Sequence, residues 1–430
     1  MAHSPALTWF LRHRSTLLLW TILAATFLLT YATYVRWYRM FYPDSRYYLA
    51  MAYLFLGNDP ETARQLTVDY AAPRNIDVPP VEDLFGWGLV QPRVVLPTLS
   101  APFIALFGPA GLAVIPLLAT AALMVIAVIM LRRRFGTLVA LLIGLLLNTS
   151  MFLVSIGTGM LTEGLSALFT AVALLLAWRW LEKPRPWMLI AIGAVTVLSA
   201  FTRQATLIMA GAFIAAWVIG SLIERRNSRM MLPAIIVGAA TIGCQVLQSL
   251  IFPSFSQLDQ FLMQAGASSL GEALLNVPRM AFDIVRADVV TMLRGDRSLL
   301  VLICLAVAGM IIFWRRVESH LLLGAIAATA VYNITNGTPT QFRYATPGLI
   351  FWLLAAGMLV SATVTWVQRS RTNPTALPGA PDDSEAAAPE SHESAEPGDT
   401  PQTDDASQTD DASQPAESTS TTRRAAEPSP

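Results

Sequence analysis

Ten runs of apolar residues recur between residues 17 and 367, and a chain patterned this way has few means of hiding them from water. They lie at about 17–34, 110–131, 137–154, 164–181, 187–202, 205–223, 231–251, 299–314, 320–333 and 346–367. A helix crosses a bilayer with roughly 20 apolar residues, within a working range of about 17–25. Charged residues make up 13% of the chain, against about 25% in a soluble domain. The expected fold is an all-α polytopic membrane protein with about ten transmembrane helices.

Orientation follows from the basic loops, because arginine and lysine are retained on the cytoplasmic side. Arg12 and Arg14, Arg132–Arg134, Lys183 and Arg185, Arg225, Arg226 and Arg229, Arg315 and Arg316, and Arg369 and Arg371 fall on one face when ten spans are threaded. Both termini are then cytoplasmic, in a multi-pass protein of the plasma membrane. The run 17–34 is longer than a signal-peptide core and has no small-residue cleavage site after it, so a retained anchor is expected. The apolar segment 94–107 holds Pro97 and Pro102 and is too short to span. It reads as an interfacial or re-entrant helix in a first external loop at about 35–109. A second large external loop, about 252–298, carries an amphipathic helix around Val277–Leu293.

The formal net charge of zero joins two unlike parts. Residues 372–430 carry 13 acids and two arginines, a balance of −11, which leaves +11 for residues 1–371. The tail is rich in Pro, Ser and Thr and has too little apolar surface to fold, so a disordered acidic cytoplasmic tail is expected behind a transmembrane domain at 1–371. Cys244 and Cys304 both sit in apolar runs and read as small core residues.

This topology eliminates chemistry. His3, His13, His320 and His392 all fall on or near the cytoplasmic side. Serine–histidine, cysteine–histidine and histidine-ligated zinc sites are therefore excluded outside. No ionisable residue sits in the middle of a span, where a proton- or ion-coupled transporter usually carries one. External carboxylates and arginines remain.

Asp44 stands where the chain first leaves the membrane, ahead of a helical pattern formed by Tyr47, Tyr48, Met51, Leu54 and Phe55 and ended by Gly57-Asn58. Its carboxylate can cap that helix or deprotonate an acceptor hydroxyl, with Tyr47 and Tyr48 beside it at the membrane interface. Arg93, Arg203 and Arg343 are isolated arginines at external ends of apolar segments. Each can snorkel to lipid headgroups, form a structural pair with a nearby acid, or clamp a phosphate in a bidentate fork. Glu163 opens a span, where an acid favours the helix dipole or serves an acceptor. Asp83, with Glu82, offers a further carboxylate in the first loop.

The Asp44 stretch, an Asp followed by Tyr47-Tyr48 just after the first span, resembles the first-loop signature of the GT-C superfamily. These are integral membrane glycosyltransferases that use polyprenyl-phosphate sugars. Three further segments are similar to that family's pattern: Arg93-Val94-Val95-Leu96-Pro97 with Leu106-Phe107-Gly108, Phe201-Thr202-Arg203, and Arg343-Tyr344-Ala345-Thr346-Pro347. The resemblance spans about residues 17–367 and implies a GT-C-like fold. It also implies an inverting sugar transfer at the external face, with Asp44 as general base. Arg93, Arg203, Arg343, Glu163, Tyr47 and Tyr48 would bind substrate. The implied partners are a polyprenyl-phosphate sugar and membrane lipids, with the acceptor unidentified and no nucleic acid. Ser45 and Arg46 occupy places where many members carry a second acid, so the motif supplies no metal-binding pair; a divalent metal stays open as a cofactor. A non-catalytic flippase or transporter of lipid-linked sugars, or an envelope-assembly scaffold, is the alternative.

Overall fold

The computed structural model describes residues 5–224, 228–252, 256–336 and 342–372; the acidic tail and the Arg225-Arg226 loop lie outside the described residues. Among those described there are helices and no strands. α1 (Pro5–Trp37) is followed by four helices of the first loop: α2 (Ser45–Phe55), α3 (Pro60–Ala71), α4 (Val81–Gly86) and α5 (Val95–Phe107). The chain continues through α6 (Val114–Phe135), α7 (Thr137–Thr149), α8 (Met151–Thr158), α9 (Glu163–Glu182), α10 (Pro186–Ala200), α11 (Thr206–Glu224) and α12 (Met231–Ile251). α13 (Gln257–Ala265) and α14 (Leu270–Gly295) precede α15 (Arg297–Ile312), α16 (Val317–Asn336) and α17 (Leu349–Thr372).

Among the described residues seven helical stretches are long and apolar enough to cross a membrane: Ser15–Trp37, Val95–Phe135, Glu163–Glu182, Thr206–Ile223, Met231–Ile251, Val317–Asn336 and Arg343–Ser370. α7 and α8 make an eighth if their pair, bent by 71°, is one span. α10 and α15 are apolar but shorter. Nine of the ten runs of the sequence each centre on one helix and the run 137–154 is divided between α7 and α8, while the length criterion admits seven or eight spans.

The stretch Val95–Phe135 is too long for one crossing, and two glycines explain how it divides. Gly108 adopts φ +64, a region open to glycine but costly for other residues. A Cβ on Gly111 would overlap the backbone carbonyl of Phe103. In a straight helix residues eight apart lie about 12 Å apart, so the chain folds back here. α5 packs against α2 instead of prolonging α6.

α2, α5 and the turn 108–113 form the centre of an apolar cluster at one end of the bundle, with Tyr48, Leu49, Leu96 and Leu112 fully buried. α2 is thus covered over much of its circumference, more than an interfacial helix needs. A larger core joins α6, α9, α11, α16 and α17. α14 begins at Leu270, seven residues before its expected start, because Ser269 caps it by accepting from the Glu272 N–H. Cys244 is buried, but Cys304 is exposed, on the outward face of α15 and not in the core.

Candidate functional site

Asp44, Glu163, Arg93, Arg203 and Arg343 come from five separate segments and meet at the end of the bundle occupied by the first loop. Each is placed by a local reason. Asp44 occupies the N-cap position of α2, yet its side chain makes no cap hydrogen bond. The next residue, Ser45, is fully buried; its hydroxyl accepts from the Tyr42 N–H and donates to the Met160 carbonyl at 2.7 Å. Met160 N in turn donates to Met40 O at 3.0 Å. These bonds fasten the Asp44 corner to the segment leading into α9. A Cβ on Gly164 would overlap the Gly157 carbonyl, so only glycine lets the start of α9 seat this closely and set Glu163 in place.

Arg203 lies in the turn between α10 and α11, with its N–H donating to Ser199 O. Val95 N donates to Phe201 O at 3.2 Å, which brings the Arg93 segment against that turn. Arg343 opens the 3-10 turn Arg343–Gly348 ahead of α17. Phe342 before it sits at φ +71, a left-handed conformation that a bulky residue adopts at a cost of about 1–3 kcal/mol. Packing edge-on against Trp352, with ring centroids 5.4 Å apart, helps hold it there.

The result is a continuous ion network. Arg343 donates from one Nη to Asp44 Oδ2 at 2.5 Å, and from Nε to Glu163. Arg203 donates to the same Glu163 oxygen at 3.0 Å and to Thr162 at 3.3 Å, and its guanidinium lies 5.0 Å from the Tyr344 ring centre. Arg93 donates to the Tyr48 hydroxyl at 2.9 Å and to Gln204 at 3.4 Å. Glu163 and Arg203 are completely buried, and Asp44 retains a quarter of its side-chain surface. Burial pushes the Asp44 carboxyl up, but Arg343, then Arg93 and Arg203, more than offset it and hold it below the ordinary value.

Three guanidinium groups face two carboxylates here, an excess of one positive charge in a buried place. The Nε atoms of Arg93 and Arg203 and the amide nitrogen of Gln204 are buried without a hydrogen-bond partner among the described residues. Unpaired buried donors are costly, and the arrangement has the charge and the free donors to accept an anion. A divalent cation does not fit: both carboxylates are occupied by arginines, and no group of three His, Cys, Asp or Glu gathers among the described residues.

Tyr47 stands apart from the network. Its ring packs 4.8 Å from that of Trp87 and its hydroxyl accepts from Arg46. Glu82 and Asp83 are exposed in the first turn of α4, so the second carboxylate of the site is Glu163 and not Asp83. Gln204 and Thr162 were not singled out from the sequence, and Tyr344 entered only as part of the Arg343 segment. Gln204 had a visible signal as a polar residue following Arg203 between two apolar runs. His320 lies in the first turn of α16 beside Glu318, and Glu318 pairs with Arg134 at 2.7 Å. None of the family models, curated proteins or solved structures compared with the chain matches it.

Proposed function

We propose that the chain is an inverting glycosyltransferase of the plasma membrane, moving a sugar from a polyprenyl-phosphate donor to an acceptor at the external face. The observation that carries this reading is the buried network with its surplus guanidinium and three unpaired donors. A donor phosphate supplies the missing negative charge, and guanidinium forks match its oxygens. The basic clusters at Arg132–Arg134, Arg315 and Arg316 favour a cytoplasmic place for the opposite end, and support reading this end as external.

In the reaction, the acceptor oxygen attacks the anomeric carbon and its proton passes to Asp44. The bond from that carbon to the phosphate oxygen breaks, and its electron pair stays on the polyprenyl phosphate. Arg93, Arg203 and Arg343 stabilise the charge that develops there. Arg343 has a double part, because it is also the closest cation to Asp44. A phosphate that draws Arg343 away removes the strongest downward influence on the Asp44 carboxyl, while burial still pushes it up. The base then holds a proton more tightly once donor is bound, which suits a general base.

The test is the full chain in vesicles with labelled polyprenyl-phosphate sugar and extracts of candidate acceptors, glycosidic products being read by mass spectrometry. Product formation by the natural chain and none by Asp44→Asn is expected. Transbilayer movement of the donor with no new glycosidic bond would establish the flippase reading instead.

A further inference from the structure

Beyond the reaction site, on the far side of the Met40–Met160 backbone pair, a cavity of about 500 Å³ opens between α1 and α6. That lies within the roughly 300–1,000 Å³ of ligand pockets. Tyr31 and Val35 on α1 face Val114 and Leu117 on α6 and give it apolar walls. Tyr31 and Val35 are one turn apart, so the apolar part runs about 6 Å along the helix before the cavity reaches Arg39 and Arg74.

Those two arginines are held in place without being neutralised. Arg39 donates to the Arg74 carbonyl at 2.7 Å. Arg74 donates to the Tyr70 carbonyl at 2.5 Å, and its guanidinium lies 3.7 Å from the Tyr70 ring centre. Among the described residues neither forms an ion pair with a carboxylate. Two fixed positive charges thus cap an apolar groove that α1 leaves open, Val35 and Tyr38 being exposed.

We infer that this groove is a binding site for an anionic phospholipid, with the phosphate between Arg39 and Arg74 and an acyl chain lying along α1 and α6. The match is one of charge and order: in a membrane lipid the anion stands at the surface and the chain runs inward, as the arginines and apolar walls do here. Arg39 ends the first span and Arg74 follows α3, so a shared phosphate ties the first loop to that span. The site concerns a resident lipid and not the sugar donor, and its occupancy does not depend on turnover.

The test uses the full chain purified in mild detergent, with phosphatidylglycerol and phosphatidylcholine as probes and bound lipid read by native mass spectrometry. Phosphatidylglycerol should be retained and phosphatidylcholine held about tenfold less, a difference of ~1.4 kcal/mol. The double substitution Arg39→Gln/Arg74→Gln should remove that preference. Arg36→Gln, at the same end of α1 but outside the cavity, should leave it unchanged. Leu117→Trp fills the apolar end with both charges intact and should also expel the lipid, so the site stays testable if the double variant does not fold. Equal retention of the two lipids, undiminished retention in Leu117→Trp, or displacement of the lipid by millimolar inorganic phosphate would each overturn the inference, the last by showing a site for free anions.

Discussion

Among the described residues two places pair arginine with a buried carboxylate, and they differ in kind. α9 joins them, running from Glu163 in the five-residue network to Glu182, which lines a cavity with Arg134 and Glu318. Twenty residues of helix separate the two by about 30 Å. At the Arg134 end one buried glutamate meets one arginine whose side chain is 47% exposed, among other arginines that face solvent. At the Asp44 end three arginines and two acids interlock, and Arg203 is 1% exposed. A half-exposed pair is what a basic rim at the end of a helical bundle produces by default. A buried network with more cations than anions is disfavoured unless something else enters it.

The widest gap between the two ends should appear in catalysis. Asp44→Asn removes the proposed base while keeping the shape of the side chain, and general-base loss typically costs about 10²- to 10⁴-fold in rate. Glu318→Gln makes the same change at the other end and should leave sugar transfer within about twofold, since no reacting group lies near it. Turnover measured side by side in vesicles decides the matter. Similar losses in the two variants would mean that the Asp44 end has no special chemistry.

Arg343→Lys comes next. One guanidinium reaches Asp44 and Glu163 through different nitrogens, a geometry that a single ammonium does not reproduce. Transfer should fall about 10²-fold although the charge is conserved. Full activity in the lysine variant would reduce Arg343 to a source of positive charge.

Arg93, Arg203 and Arg343 were legible in the sequence as isolated arginines at the expected external ends of apolar segments, each inside a segment similar to the GT-C pattern. Residue type and topology carry that signal without any knowledge of packing. Their convergence was not legible, because it rests on long-range contacts such as Ser45 to Met160 and Val95 to Phe201. Glu163 shows the limit well. From its neighbours it is an acid in the first turn of a helix, and nothing local distinguishes a dipole partner from the centre of a network. Asp44 was open between cap and base, and the structure removes the cap, since its carboxylate points to Arg343 and away from its own helix. Tyr47 and Tyr48 are adjacent in sequence, but their side chains diverge, one to Trp87 and one to Arg93. The spans were visible as apolar runs, whereas the 71° bend between α7 and α8 depends on packing that composition does not encode.

Stability should separate the two ends as well. Arg203→Gln leaves the buried Glu163 with Arg343 as its one cation in place of two; breaking a buried pair from one side costs about 3–5 kcal/mol when no second partner remains, so a smaller loss is expected here. The melting temperature in detergent should drop clearly, even with no substrate present. Were Arg203→Gln as stable as the natural chain, the network would be far wetter than its burial indicates.

The smallest effect sharpens the comparison by its pH dependence. Asp44 has its carboxyl lowered in the folded chain, so its charge contributes stability that is fully present above the ordinary aspartate value of about 3.9. That contribution is lost as pH falls through the lower folded value. The melting-temperature advantage of the natural chain over Asp44→Asn should therefore hold from pH 7 to about 4 and shrink below it. Arg134→Gln leaves the buried Glu318 without its cation but next to water that reaches the half-exposed position 134, so its cost should not follow the Asp44 titration. An Asp44 advantage independent of pH would mean that its worth lies in hydrogen bonding alone, and the charge surplus that singles out this end of the molecule would lose its energetic basis.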